Sequence, residues 1–204
     1  MTSTVERRVD RPDKFEERRR ELADAALRTL SGLGSPRTSL HEIAQDSPFL
    51  HGVLHYYFRD EAELVTYCVR RYKAVCARRY DEVVEAASTG PELAGSFAQA
   101  MADTLVADAT AHRLWYDLRA QALFEESFRT DVLEIDGLLE RMVHRVVTRY
   151  AALTGGTPAG PPDAVYALFD GLFQQALLRH LAGQERAADD LRERVRRLLV
   201  AVVA

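Results

Sequence analysis

The sequence is poor in the features that mark secreted, metal-binding and membrane proteins. It has two cysteines in 204 residues. Cys68 and Cys76 are predicted to lie on one helix about 12 Å apart, which is too far for a disulfide. No Cys and His pair has the spacing of a zinc site, and the longest apolar run, residues 198–204, is too short to span a bilayer. We therefore expect a cytoplasmic protein without a metal, a cofactor or a membrane contact.

Patterns typical of strands and of enzymes are also missing. Period-two alternation is absent, and apolar residues instead recur three and four positions apart. No Glu-x-x-His pair of a di-iron bundle occurs, and no nucleophile has a base at a recognisable spacing. His112, His144 and His180 fall on different predicted helices, so we interpret them as surface or core residues. We expect no catalytic residues and a protein that is not an enzyme.

The spacing of the apolar residues predicts an all-α protein of about nine helices. Glycine and proline mark most of the breaks between them, and residues 154–162, rich in both, are predicted to form a flexible linker. The helices are predicted at residues 14–33, 39–46, 49–57, 61–87, 91–109, 111–127, 129–154, 163–182 and 185–203.

The charge balance argues against indiscriminate binding to nucleic acids. The sequence has 27 Lys and Arg against 31 Asp and Glu, a net charge of -4, and residues 1–60 contain ten of each sign. Because the sequence-independent part of DNA affinity comes from cations that neutralise phosphates, any contact with DNA is expected to be local.

Two short helices followed by a long one are predicted between residues 38 and 64. Ser39 and Glu42 form a capping box that begins the first short helix, and Asp60 and Glu63 are placed to cap the long one in the same way. This order of elements is typical of a helix-turn-helix that reads DNA. The alternative is a solvated helix within a bundle.

The second short helix has an inward and an outward face. Its expected core anchors are Phe49, Leu54, Tyr57 and Phe58. The side chains left to face outward are those of His51, Gly52, Val53, His55 and Tyr56. Such side chains suit contacts with base edges and phosphates.

The stretch from about Arg18 to Leu64 resembles the TetR family of bacterial transcriptional regulators. The remaining two thirds match only in the number and length of the helices. The resemblance is carried by Ala25-Ala26, Thr38-Ser39-Leu40, Glu42-Ile43-Ala44, Gly52, Leu54, Tyr57-Phe58 and Leu64.

The resemblance implies two domains. Residues 1–60 would form an N-terminal arm and a three-helix, helix-turn-helix DNA-binding domain, and residues 61–204 a helical ligand-binding and dimerisation domain. The implied function is a ligand-responsive homodimeric transcriptional regulator. It would act as a repressor that a small-molecule inducer releases from a palindromic operator on double-stranded DNA.

The resemblance also implies which residues contact DNA. Thr38 and Ser39 would meet a phosphate strand, and His55 takes the place of a phosphate-contacting tyrosine. His51, Gly52, Val53 and Tyr56 would lie at base edges. The full set expected to contact DNA is Arg37, Thr38, Ser39, His51, Gly52, Val53, His55, Tyr56 and Arg59.

Four residues depart from the family pattern. Pro48 replaces a turn glycine, Leu50 a polar helix cap, His55 a tyrosine, and Glu61 a lysine that commonly meets phosphate. We therefore expect weaker or strongly salt-dependent DNA binding, or a site read partly by histidine protonation. The alternative function is a module of the same fold that binds a ligand or protein and has lost or altered its reading of DNA, in which case Glu61→Lys would leave its function unchanged.

The last two predicted helices have apolar faces suited to a dimer. Packed against their symmetry copies, they would form a four-helix interface, and the alternative is that they pack only within their own chain. These faces consist of Val165, Leu168, Phe169, Leu172, Phe173, Ala176 and Leu177, and of Leu191, Val195, Leu198, Leu199 and Val202.

The aromatic and methionine residues of the C-terminal part are candidates for a ligand cavity or for ordinary core. Arg119 follows Trp115 by one turn and would face either an anionic ligand or the carboxylates of Asp117, Glu125 or Glu126. The predicted ligand-binding residues are Met101, Trp115, Tyr116, Arg119, Phe128, Met142, Phe169 and Phe173.

Overall fold

The computed structural model describes residues 11–33 and 51–204, and the regular elements within these ranges are helices. The predicted all-α class is confirmed, while the predicted helix at 39–46 lies outside the described residues. No helix in these ranges is long and apolar enough to cross a membrane. The helices are α1 (Arg11–Leu33), α2 (His51–Tyr57), α3 (Glu61–Ala86), α4 (Gly90–Ala107), α5 (Ala109–Gln121), α6 (Arg129–Thr154), α7 (Pro162–Leu181) and α8 (Ala187–Ala201), with a 3₁₀ turn at Glu126–Phe128.

The chain divides into two compact units, residues 1–68 and 69–204. The division falls inside α3, whereas the sequence suggested a boundary just before this helix. In the first unit, α1, α2 and the start of α3 share a small apolar core. Its most buried side chains, each at most 1% exposed, are Leu22, Ala23, Ala26, Leu54, Phe58 and Leu64.

The start of α3 is capped as predicted. The backbone N–H of Glu63 donates to Oδ1 of Asp60 at 2.8 Å, which satisfies one of the free donors of the first turn. The carboxylate of Glu63 accepts from the backbone N–H of Arg59 at 2.9 Å, one residue earlier than in an ideal capping box.

The second unit is a helical bundle in which α8 packs against α4 and α7, and α7 packs against α6. The hydroxyl of Thr89 accepts from the backbone N–H of Glu92 at 3.3 Å and so caps α4, with Pro91 in its first turn. Arg145 pairs with Asp81 at 2.7 Å and joins α6 to α3. Large buried side chains of the bundle include Leu93, Phe97, Leu105, Trp115, Leu118 and Phe169.

The predicted helix at 111–127 was too long at its end, because α5 stops at Gln121. Beyond it, Leu123 and Phe124 are 76% and 86% exposed, whereas Phe128 is buried. The guanidinium of Arg129 donates from Nε to the carbonyl of Ala122 at 3.1 Å, so a side chain satisfies a carbonyl at the end of the helix. The turn brings Phe128 into the core, and no glycine or proline marks it in the sequence.

The apolar faces predicted for a dimer lie largely in the core of the second unit. Leu168 of that set is 52% exposed, and Leu178 and Leu181, also on α7, are 71% and 48% exposed. The predicted residues that are buried within this unit are Val165, Phe169, Phe173, Ala176, Leu177, Leu191, Val195, Leu199 and Val202.

The segment between α6 and α7, predicted to be a flexible linker, is fixed by backbone hydrogen bonds. Gly155 ends α6 with a φ of 73°, a conformation that favours glycine. Thr157 and Ala204 then exchange two N–H to carbonyl bonds of 2.9 Å, and the N–H of Ala159 donates to Val202 at 2.8 Å. The prediction was wrong because local composition does not reveal a partner more than forty residues away.

This pairing predicts different effects for two glycines of the same segment. A Cβ at Gly156 would lie 2.6 Å from the carbonyl oxygen of Ala204, whereas a Cβ at Gly160 would make an ordinary 3.6 Å contact with Val165. We expect Gly156→Ala to lower the free energy of unfolding by about 1–3 kcal/mol through overpacking. Gly160→Ala should change it by less than about 0.5 kcal/mol, as measured by urea unfolding. Equal effects would contradict the pairing.

Candidate functional site

Helix α2 has a buried face and a solvent-facing one, as the sequence predicted. Leu54 and Phe58 are 1% exposed, while Tyr56 is 73% exposed. The outward positions are Gly52, His55 and Tyr56, with Val53 partly buried. The inward anchors therefore fix the direction in which the outward side chains point.

An aromatic cluster joins α1 to the outward face of α2. The ring of Phe15 lies 4.8 Å from that of Tyr57 and 6.1 Å from that of Tyr56, and the two tyrosine rings are 5.0 Å apart. Aromatic pairs at these separations attract each other. Tyr56 is thus held along one edge of its ring while most of the side chain stays in solvent.

An ion-pair network lies beside this cluster. Nη2 of Arg19 donates to Glu63 at 2.8 Å, and its guanidinium lies 4.6 Å from the ring of Tyr67 and 4.9 Å from that of Phe58. Although burial acts to raise the pKa of Glu63, the hydrogen bonds from Arg59 and the charges of both arginines lower it overall. Arg59 remains 85% exposed but has this carboxylate as a partner.

Five of the residues predicted to contact DNA lie together in the described part of the first unit. Arg37, Thr38 and Ser39 lie outside the described residues, as do Pro48 and Leu50. His51 and Glu61 are the first residues of α2 and α3. The grouped residues are Gly52, Val53, His55 and Tyr56 on α2 and Arg59 just after it.

The second unit contains a cavity of about 60 Å³. This is small beside the roughly 300–1,000 Å³ of pockets for drug-sized ligands. Of the predicted ligand-binding residues, Trp115 and Phe128 are buried without lining the cavity, and Arg119 lies behind one of its walls. The predicted residues that do line it are Met101, Tyr116, Met142, Phe169 and Phe173.

The sequence analysis missed most of the polar residues of the cavity. Lys73, on α3, is 4% exposed. It belongs to a buried stripe at helical spacing formed with Val69, Cys76 and Tyr80, and a lysine within such a stripe was a signal that the sequence offered. The missed polar residues are Lys73, Tyr80, His112, Tyr166 and Asp170.

Arg119 joins two aspartates at one side of the cavity. It forms ion pairs with Asp170 and, at 3.3 Å from Nε to Oδ2, with Asp136. The hydroxyl of Tyr116 donates to Oδ1 of Asp170 at 3.0 Å, and that of Tyr166 to Oδ1 of Asp136 at 2.6 Å. Each carboxylate therefore has a partner on both of its oxygens.

The partners of Arg119 differ from the carboxylates suggested by the sequence, Asp117, Glu125 and Glu126. Burial acts to lower the pKa of Arg119, but the charges of Asp170 and Asp136 raise it overall. Burial raises the pKa of both tyrosines, which keeps their hydroxyls protonated as donors.

A second polar chain begins at Lys73. Its Nζ lies 3.0 Å from Nδ1 of His112, and Nε2 of the same ring lies 3.0 Å from the hydroxyl of Tyr72. Burial lowers the pKa of His112 well below its usual range, so the imidazole is neutral. Since an ammonium has no acceptor, Nδ1 accepts from Lys73 and Nε2 carries the hydrogen. Burial also lowers the pKa of Lys73 to about 8.

The residues that the structure describes include no group of three or more His, Cys, Asp or Glu able to hold a metal ion. The polar groups around the cavity are instead hydrogen-bond donors and paired charges. Such an arrangement can recognise a small polar ligand.

Comparison with known proteins gives matches among solved structures. No family model and no curated protein matches the chain. A structure described as a TetR-family transcriptional regulator from Rhodococcus sp. is 19% identical, with a TM-score of 0.68 over 91% of this chain and 98% of that one. The transcriptional regulator FadR from Bacillus subtilis, in complex with stearoyl-CoA, is 15% identical, with a TM-score of 0.73 over 91% and 99%.

A third structure, described as a transcriptional regulator from Saccharomonospora viridis in complex with choline, is 14% identical, with a TM-score of 0.73 over 92% of this chain and 98% of that one. At such identities the similarity concerns the fold. The chain has the fold of TetR-family transcriptional regulators, and the fold implied by the sequence resemblance is confirmed.

Burial of Lys73 predicts a cost in stability that depends on pH. Below about pH 8 the ammonium is charged in both the folded and the unfolded chain, so the whole cost of burying it is present. Between about 8 and 10.5 only the folded state has lost the proton, and the cost falls as the pH rises. The change in the pKa of Lys73 on folding corresponds to about 3 kcal/mol.

We therefore expect Lys73→Met to raise the free energy of unfolding at pH 7, and this gain to shrink between pH 8 and 10. Urea unfolding of both proteins at each pH measures the difference. A gain that is absent at pH 7 or independent of pH would show that Lys73 is not buried as a charge.

Proposed function

We propose that the chain is a ligand-responsive, homodimeric DNA-binding transcriptional regulator and not an enzyme. In this proposal it is a repressor that a small molecule releases from a palindromic operator on double-stranded DNA. The observation that carries the proposal is the outward face of α2, anchored by Leu54 and Phe58, in a chain with the fold of such regulators. The cavity of the second unit supports the proposal that the regulator responds to a ligand.

The side chains on α2 suit the reading of a major groove. Gly52 has no neighbour within 4 Å of a Cβ position, which allows the backbone to approach DNA closely. Val53 offers methyl groups to a thymine methyl, and Tyr56 and His55 offer hydrogen-bonding groups to base edges and phosphates. Because the first sixty residues are neutral overall, we expect the affinity to depend on these local contacts.

A homodimer follows from the proposed way of reading DNA. Two copies of α2 related by a two-fold axis would reach the two half-sites of a palindrome. We place the interface on α7 and α8. Their exposed apolar side chains are Leu168, Leu178 and Leu181 on α7 and Val200 on α8.

The proposed link between ligand and DNA runs through α3. This one helix contributes Leu64 to the core of the first unit and Lys73 to the cavity of the second. A ligand that binds one arrangement of the helices better than another shifts the equilibrium between them. We propose that filling the cavity changes the spacing of the two copies of α2 in the dimer, so that both no longer reach successive major grooves.

The reading of DNA is tested by placing a charge on the outward face of α2. We expect Gly52→Glu to weaken binding at least about tenfold, because it sets a carboxylate against phosphates and removes a base-edge contact. The measurement is fluorescence anisotropy at about 50 mM salt. The duplex is one that the wild-type protein selects from a random library.

The matched control is Gly95→Glu on α4, where a Cβ also meets nothing within 4 Å. It should leave the affinity unchanged. If Gly52→Glu binds as the wild type does, α2 is not the reading helix. If no sequence is selected even at low salt, the alternative of a module without DNA reading holds.

The dimer interface is tested by charge substitutions at two exposed leucines. Leu178 on α7 is 71% exposed, and Leu123, after α5, is 76% exposed. We expect Leu178→Glu to convert the dimer to a monomer, since it would bury an unpaired charge, and Leu123→Glu to remain dimeric. Sedimentation velocity distinguishes the two outcomes. A dimer that survives Leu178→Glu would move the interface away from this part of α7.

A further inference from the structure

The hydrogen bonding of Lys73 is incomplete. An ammonium has three N–H donors, and within the described part of the chain Lys73 donates one of them, to Nδ1 of His112. No carboxylate in that part lies within the 4 Å of an ion pair with it. The rings of Tyr72 and Trp115, 5.7 Å and 5.6 Å from Nζ, stabilise the charge without accepting a conventional hydrogen bond.

The carboxylate oxygens beside the cavity, by contrast, already have hydrogen-bond partners. Both oxygens of Asp170, which lines the cavity, are engaged by Tyr116 and Arg119. The Asp136 carboxylate behind it is engaged in the same way by Tyr166 and Arg119. The positive charges of Lys73 and Arg119 balance the negative charges of the two aspartates. The hydrogen bonds do not balance, because Lys73 has more donors than the described residues around it have acceptors for.

A second buried donor lies near Lys73. Nε1 of Trp115 is buried without an acceptor among the residues that the structure describes, and the indole ring is the one 5.6 Å from Nζ of Lys73. A buried donor without a partner costs free energy. In the described part of the chain, Lys73 therefore has N–H donors left without an acceptor, and the N–H of Trp115 has none.

We propose that the cavity of the second unit binds a small organic carboxylate, one oxygen of which accepts a hydrogen bond from Lys73 while the apolar part packs against Met101, Met142 and Phe169. This inference rests on the proposed function, because it takes the ligand to be the inducer of the regulator and names the chemical class of that inducer. An amine ligand would meet the charge of Lys73 and carboxylates whose oxygens are already bonded.

The size of the cavity limits the apolar part. About 60 Å³ favours a short chain over an aromatic ring, because benzene occupies an engineered cavity of about 150 Å³. The side chains of Met101 and Met142 are flexible and adjust to irregular shapes, so we expect room for a few methylene groups. Butyrate is therefore a suitable probe.

The chain contains two lysines, Lys14 and Lys73, which permits a direct measurement. In protein labelled with ¹³C at lysine Cε, nuclear magnetic resonance shows one signal for each, and Lys73→Met assigns them. We expect butyrate to shift the Lys73 signal and to raise the pKa of Lys73 above its ligand-free value. The Lys14 signal, from an exposed side chain, should not change.

Butyramide has nearly the same shape without the charge, and butylamine has the opposite charge. Both should bind at least about tenfold more weakly than butyrate in calorimetric titrations, the factor expected for one charge-assisted hydrogen bond. Lys73→Met should lower the affinity for butyrate by a similar factor, whereas Lys14→Met should not. Urea unfolding of the Lys73 variant shows whether it folds.

The proposal is overturned if butyrate does not bind, if butyramide binds as tightly, or if folded Lys73→Met binds butyrate as the wild type does. Failure here is separable from failure of the proposed function. Selection of a DNA sequence without butyrate binding would keep the regulator and reject this ligand class. Butyrate binding without selection of any DNA sequence would keep the ligand class and reject the regulator.

Discussion

Helix α3 supplies buried residues to two separate cores, and the rest of the structure depends on this shared use. Its first turns contribute Leu64 and Cys68 to the first unit, and its later turns contribute Lys73, Cys76 and Tyr80 to the second. The two sets belong to one continuous helix. In the regulator that we propose, this helix connects the ligand with the DNA.

The buried charge of Lys73 in the second unit is costly to stability. An apolar residue in place of Lys73 would avoid the desolvation that lowers the pKa of Lys73 to about 8. Proteins commonly retain such destabilising groups where binding needs them. In the regulator that we propose, a ligand carboxylate completes the hydrogen bonds of Lys73, which lies beside the neutral His112.

The sequence predicted what depends on local periodicity and missed what depends on distant partners. The face of α2 was predicted from the spacing of Leu54 and Phe58, since both anchors lie within one turn. The partners of Arg119, Asp136 and Asp170, lie on other helices, and local spacing could not reveal them. The segment at 155–161 was misjudged for the same reason. Lys73 was a different case, because its place in a buried stripe was visible in the sequence.

In the regulator that we propose, a dimer of this chain reads a palindrome, and a small ligand releases it. Sedimentation of the protein with its selected duplex, at low salt and with or without ligand, measures this directly. We expect two chains on each duplex without ligand and free duplex after the ligand is added. A complex with one chain per duplex, or one that the bound ligand leaves intact, would contradict it.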